Sequence, residues 1–429
     1  MKKGNRLIVV LVILLVIGSS LFAQGAAEQM KKPVDLVFVA RNTTKPAAYE
    51  EIFAAFKAKT GNNVELQLLP SGEEYGVLMQ TRFATGDYPD LFEMDPGTKQ
   101  YTKFNSANLV ELTNDPIIWT RAQASAKAFQ TLDGKIFGMP WGSTGNFGVY
   151  YNKDVFKAIG ATEPKNYNDL IDILKKAKAA GYIPVYEAVN TQWPLQIYSL
   201  ASWPTYVDPT IGVAGVAKLD SNQLRLNEIP AFREVLVRQV ALRTMGLLQD
   251  NYMSGTYDEQ LELFGQGKIA VLFQLSGILN SLRDKFGLDF VNSKIGWFPM
   301  PAVDGTGIAT LQPASQILIP SKGENVAVAL ELAHFMTEKE NLDIWYKHNP
   351  GVPAYKDVNV SLYAPELTVV EYNNQGKALV NIQNRLQSSF ADYPKLLQQM
   401  YIDGDVDKVL NMLDENYRKT GKARVIPGF

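Results

Sequence analysis

The sequence predicts an α/β protein built as two domains. Three features carry that expectation: the length of the chain, an early alternation of strand-like and helix-like segments, and the break GMPWGSTGNFGVYYNKDVF at residues 138–156, which parts two strand-like stretches. At 429 residues the chain is longer than one ordinary hydrophobic core accommodates. Apolar residues make up 46% and charged residues 20%, a globular composition.

The elements follow in order. Val34 to Ala40 is a short apolar strand, and Tyr49, Ile52, Phe53 and Phe56 then recur at helical spacing up to Thr60-Gly61, where the glycine suits a left-handed cap. Val64, Leu66 and Leu68 alternate as a second strand. Tyr75, Leu78, Met79 and Phe83 mark a second helix that stops at Gly86, and Leu91 to Met94 is a third strand running into the turn Asp95-Pro96-Gly97. Strand, helix, strand, helix, strand at this spacing predicts a parallel sheet. Ligands in such sheets bind beyond the carboxyl ends of the strands, here Arg41 to Thr44, Pro70 to Glu74, and Asp95. Past the break, helices are expected over Tyr167–Ala179, Phe232–Leu242 and Glu324–Met336, with another starting near Glu338. Strands are expected at Ile183–Glu187, Ile269–Phe273 and Gln316–Ile319, and the tail reads as mostly helical.

Lys2, Lys3 and Arg6 precede an unbroken apolar run, Leu7 to Ile17, followed by small residues with Ala23 and Gly25 spaced as a cleavage site. The run is shorter than a spanning helix needs, so residues 1–25 are expected to be a cleaved export signal, with a mature chain from about Ala26. Cysteine is absent, which excludes disulfides, thiolate chemistry and a lipid-bearing cysteine, so a periplasmic location is expected. The net charge of −2 offers no basic face for nucleic acid.

Catalytic and cofactor signals are thin. The two histidines, His334 and His348, leave a transition-metal site little to build on, and no phosphate-binding glycine loop or nucleophile elbow is present. No catalytic residue, cofactor or metal is therefore expected. Aromatic and amide residues say more. Trp141, Trp193, Trp203 and Trp297 fall where loops are expected, with Asn146, Asn190, Gln192, Gln312 and Gln316 as the accompanying amides. An aromatic plane suits the C–H face of a sugar ring, and planar amides suit its hydroxyl rim. For each aromatic taken alone, core packing is the competing reading.

The stretch DGKIFGMPWGSTGNFGVYYNKDVFKAIG resembles the signature of the family 1 extracellular solute-binding proteins of ABC transporters, in their sugar-binding, maltose-binding-protein-like branch. FGQGKIAVLFQLSG, GWFPMPAVDG, ELAHFMTEKENLDIWYK and HNPGVPAYKDV extend the resemblance in consistent order over nearly the whole mature chain. It implies a two-lobed periplasmic-binding-protein fold (type II) with three interlobe crossovers and a ligand cleft between the lobes. The crossovers would lie at Gly142–Asn146, near Ser293 and near Pro350. The first lobe would then comprise residues 33–143 plus 295–348, and the second 144–294 plus 349–429. The implied function is capture of a mono- or short oligosaccharide and delivery to a membrane permease by hinge closure, by a protein that is a monomer. Trp141 would stand at the cleft mouth as a stacking plate, Asn190 and Trp193 would reach the sugar, and Gln312 and Gln316 would line the cleft. Asp95 either accepts hydroxyls or caps its own turn, and Arg41 holds a hydroxyl, pairs with Glu74, or serves the surface. Gly277 is followed by Ile278 and Leu279 where many relatives carry a tryptophan, which argues against a long linear glucan. The alternatives are a non-sugar solute such as a polyol phosphate, for which Arg41 is the sole cation in view, or a secreted glycoside-processing enzyme.

Overall fold

A computed structural model describes residues 32–42, 46–71 and 73–429. The expected export signal, and Thr43 and Thr44, lie outside the described residues. The chain forms two sheets. In the first, β1 (Asp35–Arg41) lies between β2 (Asn63–Leu69) and β3 (Leu91–Met94), parallel to both. The sheet continues through β10 (Ser315–Leu318), antiparallel to β3, to β4 (Gly138–Trp141). In the second, the ten-residue β5 (Ser143–Asn152) is the organising strand. It pairs antiparallel with β7 (Ile269–Leu275) on one edge, and with both β8 (Ile295–Phe298) and β9 (Ala309–Gln312) on the other. β6 (Ile183–Val185) extends this sheet beyond β7, and β12 (Ala378–Val380) extends it beyond β9.

Each sheet buries both faces, as period-two side-chain alternation requires. Leu36, Phe38 and Ala40 of β1 enter one core and Val39 the other; Phe147, Val149 and Tyr151 of β5 enter one core and Tyr150 the other. Helix Pro46–Thr60 buries Tyr49, Ile52, Phe53 and Phe56, the four residues whose spacing announced it, and Gly61 ends it at φ +80°. The C-terminal helices Tyr393–Asp403 and Val406–Ala423 close the second lobe's larger core with Leu397, Met400, Leu410 and Leu413.

Two of the three crossovers fall elsewhere than expected. The first is at Gly142, between β4 and β5. The second lies at Pro313-Ala314 and not near Ser293, because β8 and β9 pair with β5: residues 295–312 belong to the second sheet, not the first. The third follows Val358 and not Pro350, since Ala354, Tyr355 and Val358 pack into the first lobe's core while Tyr363 enters the second's. Strand β11 (Val352–Pro353) pairs with Ser143 and Thr144, beside the first crossover.

Gly142 has φ +82°, and its carbonyl accepts from the Tyr346 hydroxyl at 2.6 Å and from the Ala354 amide at 3.3 Å. A side chain there meets the left-handed penalty, about 1–2 kcal/mol. Gly142→Ala is accordingly expected to lower the unfolding free energy by that amount, read as a lower denaturant midpoint at an unchanged denaturant slope.

The second lobe buries Glu187, whose backbone exchanges two hydrogen bonds with the Gln249 side chain. Burial pushes its carboxyl up to about 8, with the Tyr401 hydroxyl pulling weakly the other way. The native state therefore keeps this proton while the unfolded chain, titrating near 4.5, gives it up. Fewer protons are bound by the unfolded chain across that window, so stability falls as pH rises from about 4.5 to about 8 and then levels. Glu187→Gln is expected to flatten that slope in melts recorded from pH 5 to pH 9.

Candidate functional site

The site is the seam where the carboxyl ends of β1 and β3 face the second lobe. Arg41 ends β1 and directs its guanidinium to Asp95 at 2.6 Å and Glu93 at 3.4 Å. It lies 5.1 Å from the centroid of the Tyr75 ring, a cation–π contact. Glu93 is buried and also accepts from the Tyr49 hydroxyl at 3.0 Å. Asp95 is different: 59% of its side chain is exposed. Desolvation within the cleft opposes its ionisation, but Arg41, Lys99 and Lys103 outweigh it and hold the carboxyl below the usual range. An ionised acceptor with open lone pairs is thus fixed at a strand end, ready for hydroxyl donors.

Gln316 fixes the turn behind it. Its amide donates to the carbonyls of Asp95 (2.8 Å) and Gly97 (3.0 Å), and the residue is fully buried. A Cβ at Gly138 would lie 1.8 Å from the Gln316 amide oxygen, so the glycine makes room for this brace.

The facing surface is rich in amides. Gln312, at the end of β9, accepts from Asn381 at 3.1 Å and Asn384 at 2.9 Å, and Gln383 donates to Gln196 at 3.2 Å. Trp193 is half-buried in a short 3-10 turn, its ring 5.3 Å from that of Tyr257. Asn190, three residues earlier, is exposed. The lobes touch where Lys99 donates to the Gln383 carbonyl at 3.1 Å and Gln387 donates to the Thr98 hydroxyl at 2.8 Å. Burial pushes the Lys99 ammonium down to about 8, opposed by Asp95 and reinforced by Arg424 and Lys103.

The residues singled out in the sequence therefore divide. Arg41, Asp95 and Gln316 form one cluster, Gln312 belongs to the facing amide group, and Asn190 and Trp193 share a loop of the second lobe. Glu74 stands exposed on helix Glu73–Thr85, and Arg41 gives its ion pairs to Glu93 and Asp95 instead. Trp141 is not a cleft plate: it is 1% exposed, packed between Tyr49 and Trp345 in the first lobe's core. Asn146 is likewise buried, donating to the Tyr150 hydroxyl at 2.9 Å within β5. Gln316 holds the backbone of Asp95 and does not line the cleft. Trp203 and Trp297, expected in loops, are buried in helix Gln196–Tyr206 and in β8. Sequence reasoning passed over Lys99, Tyr257 and the Asn381–Asn384 turn. The string NIQN, with three amides in four residues, was the available signal, hidden in a tail read as helical.

Comparison with known proteins identifies the family and the fold. The model of the bacterial extracellular solute-binding protein family matches residues 40–342. A multiple sugar-binding protein of Streptococcus mutans is 22% identical, over 79% of this chain and 80% of its own. The melibiose/raffinose/stachyose-binding protein MelE of Bacillus subtilis is 22% identical, over 68% of this chain and 66% of its own. Among solved structures, the binding protein RafE in complex with raffinose superposes with a TM-score of 0.75 at 20% identity, covering 90% of this chain and 99% of that one. Two sheets joined at Gly142 and Pro313-Ala314 and a family model spanning most of the chain agree: this chain belongs to the bacterial extracellular solute-binding proteins.

Proposed function

We propose that this protein is a periplasmic receptor that captures a carbohydrate between its lobes and delivers it to an ABC transporter permease, without making or breaking a bond. The observation that carries the reading is the pairing across the seam: the Asp95 carboxylate on one lobe, the Gln312–Asn381–Asn384 amides and the Trp193–Tyr257 aromatic pair on the other. Carboxylate and amides accept and donate to vicinal hydroxyls in a plane, and a half-buried indole offers a face to the ring's C–H bonds. Relatives named for melibiose, raffinose, stachyose and multiple sugars support the class of ligand. Closure hinges on the crossovers, with Gly142 taking up the torsional change beside the Tyr346 clamp. We take the mature chain to begin near Ala26, to carry no lipid, and to act as a monomer.

The test is a thermal-unfolding panel of mono- and oligosaccharides with recovery of the sugar afterwards. Ligand at a hundred times its Kd stabilises the native state by about 2.7 kcal/mol. A shift with one sugar family, returned intact, is expected. Cleaved sugar would turn the reading to a glycoside-processing enzyme, and no shift with any sugar would end it.

A further inference from the structure

The loop that carries Asn190 and Trp193 holds its backbone in an unusual state. Gln192 has φ +65° and ψ −59°, and the Trp193 amide donates across it to the Thr191 carbonyl at 2.9 Å. This is the rare form of the three-residue γ-turn, a conformation that strains any residue with a Cβ. Asn105, Asp133, Asn222 and Asp392 also have positive φ, but asparagine and aspartate tolerate it through their short polar side chains. Glutamine does not share that tolerance.

A glycine would remove the strain, so the side chain at 192 has a use. Its amide donates to the side-chain oxygen of Gln398 at 3.0 Å, and the Gln398 amide donates to the Val189 carbonyl at 3.1 Å. Gln398 belongs to helix Tyr393–Asp403, which thereby straps the turn from outside the loop.

What the strap holds is the direction of Trp193. The γ-turn fixes the backbone that enters this residue, and Pro194 fixes φ directly after it. The Leu195 carbonyl then accepts from the buried Gln239 amide at 2.7 Å, which ties the downstream end to the second lobe's core. Upstream, the Thr191 hydroxyl oxygen accepts from the Tyr257 amide at 2.9 Å, and the Tyr257 ring lies 5.3 Å from the indole. Both rings of the aromatic pair are thus located by the turn Thr191-Gln192-Trp193. A half-buried indole on an unbraced loop would sample several directions, and ordering it on binding would cost affinity.

We propose that Gln192 and Gln398 are positioning residues of the carbohydrate site: the strained turn and its strap set the angle of the Trp193 platform against Tyr257 before the sugar arrives. The proposal rests on the carbohydrate reading above. Neither glutamine needs to touch the sugar, and the strain is kept for the orientation it produces.

Titration calorimetry of the mature protein with raffinose, melibiose, xylotriose and chitotriose, followed by the tightest of them on the variants, tests it. Gln192→Gly is expected to weaken that sugar by about five- to tenfold, with a thermal midpoint at or above the wild-type value because glycine takes this φ without penalty. Gln398→Met, which keeps the side-chain length and removes both hydrogen bonds, is expected to weaken it severalfold. In a Trp193→Ala background neither change should cost further affinity, since both act through the indole. Acrylamide quenching of the ligand-free protein adds a readout that needs no sugar. The Trp193 emission, taken as the difference from Trp193→Phe, should be quenched more readily in Gln192→Gly. Wild-type affinity in both glutamine variants, or an undiminished loss in the Trp193→Ala background, would overturn the proposal and leave carbohydrate capture in place. If none of the four sugars binds the wild-type protein and the thermal panel is also silent, the carbohydrate reading falls and this proposal with it.

Discussion

Asp95→Ala is expected to weaken carbohydrate binding by about ten- to a hundredfold with little change in stability. Hydrogen bonds to a charged acceptor are worth about 1.5–3 kcal/mol, and each 1.4 kcal/mol is tenfold in Kd. The fold loses little because 59% of this side chain is already exposed, and ion pairs so placed contribute about 0–1 kcal/mol. Arg41 keeps its contacts with Glu93 and the Tyr75 ring in the variant. Removing Arg41 is a different experiment, since it also takes away the Arg41–Glu93 pair inside the core. Titration calorimetry and chemical denaturation on the same preparation separate the two effects. Wild-type affinity in Asp95→Ala would show that Asp95 serves only its turn.

Trp141→Ala is expected to do the reverse, costing stability and not contact with ligand. The ring lies 6.1 Å from Tyr49 and 4.6 Å from Trp345, with 1% of the residue exposed. Truncating a buried tryptophan costs about 3–5 kcal/mol, a large share of the stability of an ordinary domain. The void would open beside Gly142, whose clamp Tyr346 belongs to the same core. Denaturant unfolding should show the loss directly. Trp193→Ala, half-buried against Tyr257, should instead keep its midpoint and lose affinity. A Trp141 variant of normal stability that failed to bind sugar would return this ring to the ligand.

Much of the first lobe was legible. Its strands and helices are local events: Tyr49, Ile52, Phe53 and Phe56 repeat at the helical period, and Gly61 can take the left-handed cap. Helix Tyr167–Ala179 was readable to the residue, because Asn166 caps it and its apolar face repeats without interruption. The placement of Arg41 and Asp95 at strand ends of a parallel sheet follows from a topological argument that needs only the order of elements. Trp193 was marked out by a nearby proline and by neighbouring amides. The same signals pointed wrongly at Trp141 and Trp203, because a proline says that backbone geometry is unusual and says nothing about which way the ring faces.

The amino-acid sequence by itself determined the periodic elements, their caps, the alternation of strand and helix, and the glycines that permit positive φ. Those depend on neighbours a few residues away. Only the tertiary structure decided to which sheet Ile295–Phe298 and Ala309–Gln312 belong, and hence that the second crossover lies at Pro313-Ala314. An apolar strand buries its side chains equally well in either sheet, so its pattern reports burial but not its partner. The partner is chosen by the free edge of β5, ten residues long and able to hold two short strands end to end. The same holds for the site: an amide or an indole becomes a ligand contact or a structural brace according to what packs behind it. That choice is made by chain segments far away in sequence.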